Sequence, residues 1–118
     1  MGVKESVFTK RPGCMLRHVN MSLTPENLQR YVGGYIEILP LGVFCDQDVI
    51  LICNEEGKLR HLEPNFVLTS MGSFLPVEDV VVGDVVFAAS KGEEIVGLEG
   101  DIVELREWLM DQGVVFYE

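Results

Sequence analysis

The sequence predicts an α+β fold: a single domain with a mixed, largely antiparallel sheet and two short helices packed on it. Three observations lead there. Two segments, 25–32 and 101–112, carry helical spacing of apolar residues between recognisable start and stop residues. Several short runs rich in Val, Ile and Phe lie between Gly, Pro and Asn turn residues at hairpin spacing. The chain has 118 residues, 47% of them hydrophobic, which suits one core and not two. No repeat, low-complexity tract or linker interrupts residues 1–118, so they read as one domain.

The first elements are a hairpin. Residues 5–10 and 14–21 flank Arg11-Pro12-Gly13, where Pro fixes φ and Gly accepts a positive φ. In the second segment Cys14, Leu16 and His18 share one face, and Met15, Arg17 and Val19 the other. A helix follows. Thr24 suits the N-cap, Pro25 the first helical position and Glu26 the positive end of the helix dipole. Leu28, Tyr31 and Val32 make one apolar stripe, and Gly33-Gly34 ends the helix through a left-handed residue.

The run Tyr35–Leu39 reads as a strand stopped by Pro40, with Ile36 and Ile38 on the face opposite Glu37. The nearly continuous apolar run Asp48–Cys53 reads as a central strand. Asn54-Glu55-Glu56-Gly57 is a turn, with a brief pairing expected at Lys58–Arg60. Glu63–Leu68 is read as one helical turn beginning near Pro64, and Ser70–Ser73 as a loop. Val85–Ala89 is a strand after the Gly83-Asp84 turn, and Ser90–Glu94 a loop. In the second helix Ile102, Leu105, Trp108 and Leu109 line one face and Gly113 is the stop. Val114–Tyr117 adds a terminal strand or frays.

Composition narrows the function classes. The net charge is −10 and the mean hydropathy +0.22. The asymmetry is strong: residues 1–30 carry a net +3, whereas 31–118 hold four basic residues against seventeen acids. Phosphates would be repelled by that larger part, so no direct nucleic-acid binding is expected. The longest apolar stretches, near 49–53 and 80–89, fall well short of the roughly 20 residues of a spanning helix. Lys4, Glu5, Lys10 and Arg11 break up any signal-peptide core, which leads to a cytoplasmic expectation without a membrane partner.

Cys14, Cys45 and Cys53 are widely spaced, and with His18 and His61 they make no zinc pattern. No metal or other cofactor is expected, and Cys53 is read as a small core residue. The same spacing gives no support to a Cys45–His pair with Asp46 as orienter. Gly33-Gly34-Tyr35 lacks the phosphate-loop pattern and closes a helix instead of opening one. Adjacent acids in Asn54–Lys58 do not follow the alternating pattern of a calcium loop. The hairpin charges Lys10, Arg11, Arg17 and His18 suit either an acidic ligand or a charged edge that resists aggregation.

One resemblance adds a setting. The run from Leu28 through Val32-Gly33-Gly34-Tyr35-Ile36-Glu37-Ile38 to Leu41, then Ile52-Cys53-Asn54-Glu55-Glu56-Gly57-Lys58-Leu59, then Leu62, Pro64, Asn65 and Gly83–Phe87, resembles a small domain-of-unknown-function family. That family is found in phages, prophages and mobile elements of Firmicutes and other gut bacteria. The resemblance covers roughly residues 5–109. The family often has a basic residue after Pro-Asn. Here Phe66 stands there, so no anion-binding role carries over. The resemblance implies a phage or mobile-element setting and no particular reaction.

The expected function is therefore a small non-enzymatic binding or regulatory protein, with a protein or small molecule as partner and the oligomeric state left open. One alternative sequesters a nucleotide signal in a pocket drawn from residues such as Tyr35, Phe66, Arg17 and Lys58. Another is an acidic DNA mimic that inhibits a host nucleic-acid enzyme. The candidate contact residues are Asn54, Glu55, Glu56, Lys58 and Asn65. Turn geometry accounts for Asn54 and Gly57 but does not demand Glu55, Glu56, Lys58 or Asn65. Whether the segment is functional or structural stays open on these grounds.

Overall fold

A computed structural model describes residues 3–71 and 75–117, with side chains at all of these except 70, 71 and 75–78. The first hairpin forms, with its second strand beginning at Arg17 and not at residue 14. β1 (Lys4–Lys10) pairs antiparallel with β2 (Arg17–Ser22), with Phe8 opposite His18. Their connection is tightened by a bond from Cys14 N–H to the Arg11 carbonyl (3.0 Å). α1 (Pro25–Val32) is capped by Thr24, whose hydroxyl accepts from Asn27 N–H at 3.2 Å. It stops at Gly33, where φ is +85°, a value that a residue with a Cβ adopts at a cost.

β3 (Ile36–Phe44) and β4 (Gln47–Asn54) form a long hairpin. Pro40 does not stop β3, contrary to expectation. β3 is the last strand of its sheet, and the register shifts between Pro40 and Gly42, so the missing N–H is absorbed by an edge and a bulge. The segment read as a helical turn at Glu63–Leu68 is also a strand, β5 (Pro64–Met71). Phe66 and Leu68 point into the core while Val67 is half-buried, a period of two that outweighs the Pro64 start signal. Ser70 and Met71 belong to β5, and residues 72 and 73 of the expected loop lie outside the described residues. No strand forms at Lys58–Arg60, which continues the turn. β6 (Leu75–Val82), not read as a strand from the sequence, pairs with β5. β7 (Val85–Lys91), β8 (Glu94–Val96), α2 (Ile102–Asp111) and β9 (Val114–Phe116) complete the chain.

Every strand pairing among the described residues is antiparallel, in two sheets instead of the one expected. The larger runs β2-β1-β7-β4-β3, with β8 beside β7; the smaller runs β6-β5-β9. The large sheet is covered on both faces, which explains the unbroken apolar run in β4. Ile50 and Ile52 pack with Val86, Ala88 and the α1 residues Leu28 and Val32 on one side. Val49, Leu51 and Cys53 join Phe87, Phe66, Leu68, Leu105 and Leu109 on the other, where the small sheet and α2 lie. The result is a three-layer α+β domain. Among the described residues no helix is long and apolar enough to cross a membrane.

Candidate functional site

The turn after β4 is built by Asn54. Its side-chain oxygen accepts from Glu56 N–H (2.8 Å), and its amide donates to the Val32 carbonyl at the end of α1 (3.1 Å). Glu55 N–H donates to the Tyr35 carbonyl (2.8 Å), and the Arg60 guanidinium donates to the Gly33 carbonyl (2.8 Å). Two side chains of one motif thus satisfy the open carbonyls of the helix that carries the other motif, with a cation at the negative helix end. Gly57 is required by a close approach: a Cβ there would stand 2.7 Å from Val82 Cγ2 of β6. Asn54 itself is buried, whereas Glu55, Glu56 and Lys58 are exposed.

These outward residues line a cleft of about 250 Å³. Its floor is Glu37, Leu39 and Cys53 on the β3–β4 face, its near wall is the turn at 54–59, and its far wall is β6 at 79–82. Lys58 spans it, donating to Asp79 in an ion pair whose partners are both exposed. Four acidic residues, Glu37, Glu55, Glu56 and Asp79, line the cleft with one lysine. The Cys53 thiol donates weakly toward Glu37 Oε1 (3.8 Å) and is pushed up to about 12, first by burial and then by the negative charge of Glu37. It stays protonated, and a protonated thiol is a poor nucleophile.

Asn65 is placed elsewhere. It is fully buried and is not part of the cleft. Its amide donates to the carbonyls of Lys10 and Gly83, both at 2.8 Å, and its oxygen accepts from Lys10 Nζ at 3.0 Å. Lys10, read from the sequence as a surface charge of the hairpin, is buried too. Its ammonium also donates to the Arg11 and Tyr117 carbonyls and lies 5.6 Å from the Phe116 ring centre. The even-numbered face of β1 that holds Phe8 carries it inward.

The structure therefore brings together Asn54, Glu55, Glu56 and Lys58 and separates Asn65 from them. Sequence reading missed Glu37 and Asp79 as neighbours of the turn. Glu37 was legible in principle, because alternation sets it opposite Ile36 and Ile38, but Asp79 arrives only through the docking of the second sheet. The residues considered for a nucleotide pocket do not assemble: Phe66 is buried against Phe87 and Phe116, and Arg17 lies on β2. A wider groove of about 520 Å³ runs past Arg11, Tyr31 and Asp84, and none of the five candidates lines it. Cys14 and Cys45 are exposed and Cys53 is buried, all as free thiols. Among the described residues no group of three His, Cys, Asp or Glu side chains is placed to hold a metal. The Ser6 hydroxyl and His18 Nε2 are hydrogen-bonded across β1 and β2. The nearby N–H groups of Gly97 and Leu98 are already taken by Glu5 and the Ser6 carbonyl.

Fold and cleft together define a small α+β domain with a polar, acidic recess between two sheets. Residues 5–111 match the family described as a domain of unknown function, DUF3846, and the chain belongs to that family. No curated protein and no solved structure matches the chain.

Proposed function

We propose that this chain is a small binding or regulatory protein without catalytic activity, of a phage or mobile-element type and acting in the host cytoplasm, and that it meets its partner through the cleft beside the 54–58 turn. The observation that carries this reading is the convergence of Asn54, Glu55, Glu56 and Lys58, four of the five residues singled out from the sequence, on one recess. Packing uses Asn54 and Gly57, yet leaves Glu55, Glu56 and Lys58 exposed. Recognition gives those three a role that packing does not. The acidic lining weighs against a phosphate-bearing small molecule, since the single lysine in the cleft is already bonded to Asp79. Clustering of the acids in one recess likewise departs from the line of charges that a DNA mimic presents.

The test pairs melting curves with capture of partners from host lysate, using wild type and the single and double Glu55→Ala and Glu56→Ala proteins. Unchanged melting with weakened capture of the same partner supports the reading. Undiminished capture by the folded variants overturns it. The setting has its own test in the gene's neighbourhood: anti-defence genes beside it support the phage reading, and a metabolic operon overturns it.

A further inference from the structure

We propose that the cleft is a docking groove for an extended, basic peptide segment of a partner protein, which adds as a strand to the open edge of β6 and sets its cationic side chains against Glu37, Glu56 and Asp79. This rests on the cleft being the recognition surface and names the kind of partner it fits.

The far wall supplies the first argument. It consists of four consecutive residues, 79–82. Successive side chains of a strand point to opposite faces, so a cleft over a sheet face meets every second residue. A cleft that meets four in a row runs along the strand's edge. β6 pairs with β5 through Leu68↔Asp79, Val67↔Val80 and Phe66↔Val81, and it is the outer strand of its sheet. Among the described residues no strand pairs with its other side. Glu37 and Leu39 of β3 and Cys53 of β4 lie on one face of the large sheet. The recess thus opens between the outer edge of β6 and that face. An open edge carries main-chain donors and acceptors that an extended peptide can pair with.

Size and charge choose the occupant. At about 250 Å³ the cleft is smaller than the roughly 300–1,000 Å³ of pockets that enclose a small molecule, so it holds side chains of a ligand that continues outside it. Its four carboxylates against one lysine are complementary to a cationic segment. The exposed Lys58–Asp79 pair, screened by water, can exchange its ammonium for one from a ligand at little cost. At the rim Leu59, 78% exposed, offers an apolar contact beside the charges.

The experiment measures fluorescence anisotropy of a labelled eight-residue peptide of alternating Lys and Val, titrated with the full chain. The comparison peptides are two N-methylated versions, one for each alternating set of amides, and a Glu/Val peptide. Expected are saturable binding of the Lys/Val peptide, a loss of about tenfold or more for one N-methylated version, and none for the Glu/Val peptide. Glu37→Gln/Glu56→Gln should weaken binding and flatten its salt dependence, and Lys58→Ala should strengthen it by freeing Asp79. Equal binding of all three cationic peptides, or of none, overturns strand addition, and because the peptides carry the change this holds whatever the variants do to folding. If the peptides fail while Glu55→Ala/Glu56→Ala still loses its captured partner, the cleft remains the recognition surface and only this inference falls. If both fail, both fall.

Discussion

Lys10 and Lys58 each place an ammonium beside an oxygen acceptor, in opposite surroundings. Lys10 is wholly buried, and its N–H groups meet the Asn65 amide oxygen and the carbonyls of Arg11 and Tyr117 at 3.0–3.2 Å. Lys58 is 61% exposed and meets Asp79 in open solvent. In the first case the cluster ties β1, β5 and the segment after β9 together, and losing a member leaves a buried group unsatisfied. In the second, water replaces whatever is lost, so the pair is worth less than about 1 kcal/mol. The same residue types that look alike in a sequence are a structural tie in one place and an exchangeable surface contact in the other.

The largest test of that contrast is Asn65→Ala. It removes an acceptor from a buried ammonium and a donor from two buried carbonyls, and should cost about 3 kcal/mol in urea unfolding. A loss below about 1 kcal/mol would show that the cluster does not hold the sheets together. Next is Gly33→Val, which forces a β-branched residue to φ near +85° where the turn and α1 meet, and should cost about 1–2 kcal/mol. Unchanged melting would count against Gly33 as the helix stop.

Cys53 gives a chemical version of the same comparison. Its ionisation is raised from 9.0 to about 12 by burial and Glu37, so the folded state holds the proton more tightly than the unfolded state. The associated stability is complete below pH 9 and is lost as pH rises from about 9 toward about 12. Alkylation of the native protein at pH 8, read by mass spectrometry, should modify the exposed Cys14 and Cys45 quickly and Cys53 only on unfolding. Rapid modification of all three thiols would place Cys53 in contact with solvent. The smallest effect is expected at the cleft: Lys58→Ala should change stability by less than about 0.5 kcal/mol by thermal melting, and a larger loss would make the Lys58–Asp79 bridge structural.

Local chemistry made much of this fold legible. Thr24, Pro25 and Gly33 punctuate α1, and Asp101 caps α2 by accepting from Val103 N–H (2.9 Å) and Glu104 N–H (3.1 Å). Nearly unbroken apolar runs mark β4 and β7. The failures lie where a local signal was ambiguous. Pro64 takes the first position of a helix or of a strand equally well, and Pro40 ends a strand only when its N–H is needed by a neighbour. In the candidate site the Asn54–Lys58 turn could be read directly, but the direction of each side chain could not. Asn54 and Asn65 are both amides in polar runs, and only the proximity of the α1 carbonyls and of Lys10 turns them inward.

By itself the sequence determined the α+β class, both helices with their ends, the hairpin at Pro12-Gly13 and the turn at 54–57, because each follows from interactions within a few residues of chain. Tertiary structure alone decided that the strands divide into two sheets, that Lys10 is buried on Asn65, and that Asp79 faces Lys58 across a cleft. Those contacts join residues 55 and 21 positions apart, and they depend on how the core closes between the sheets and not on any local preference of the backbone.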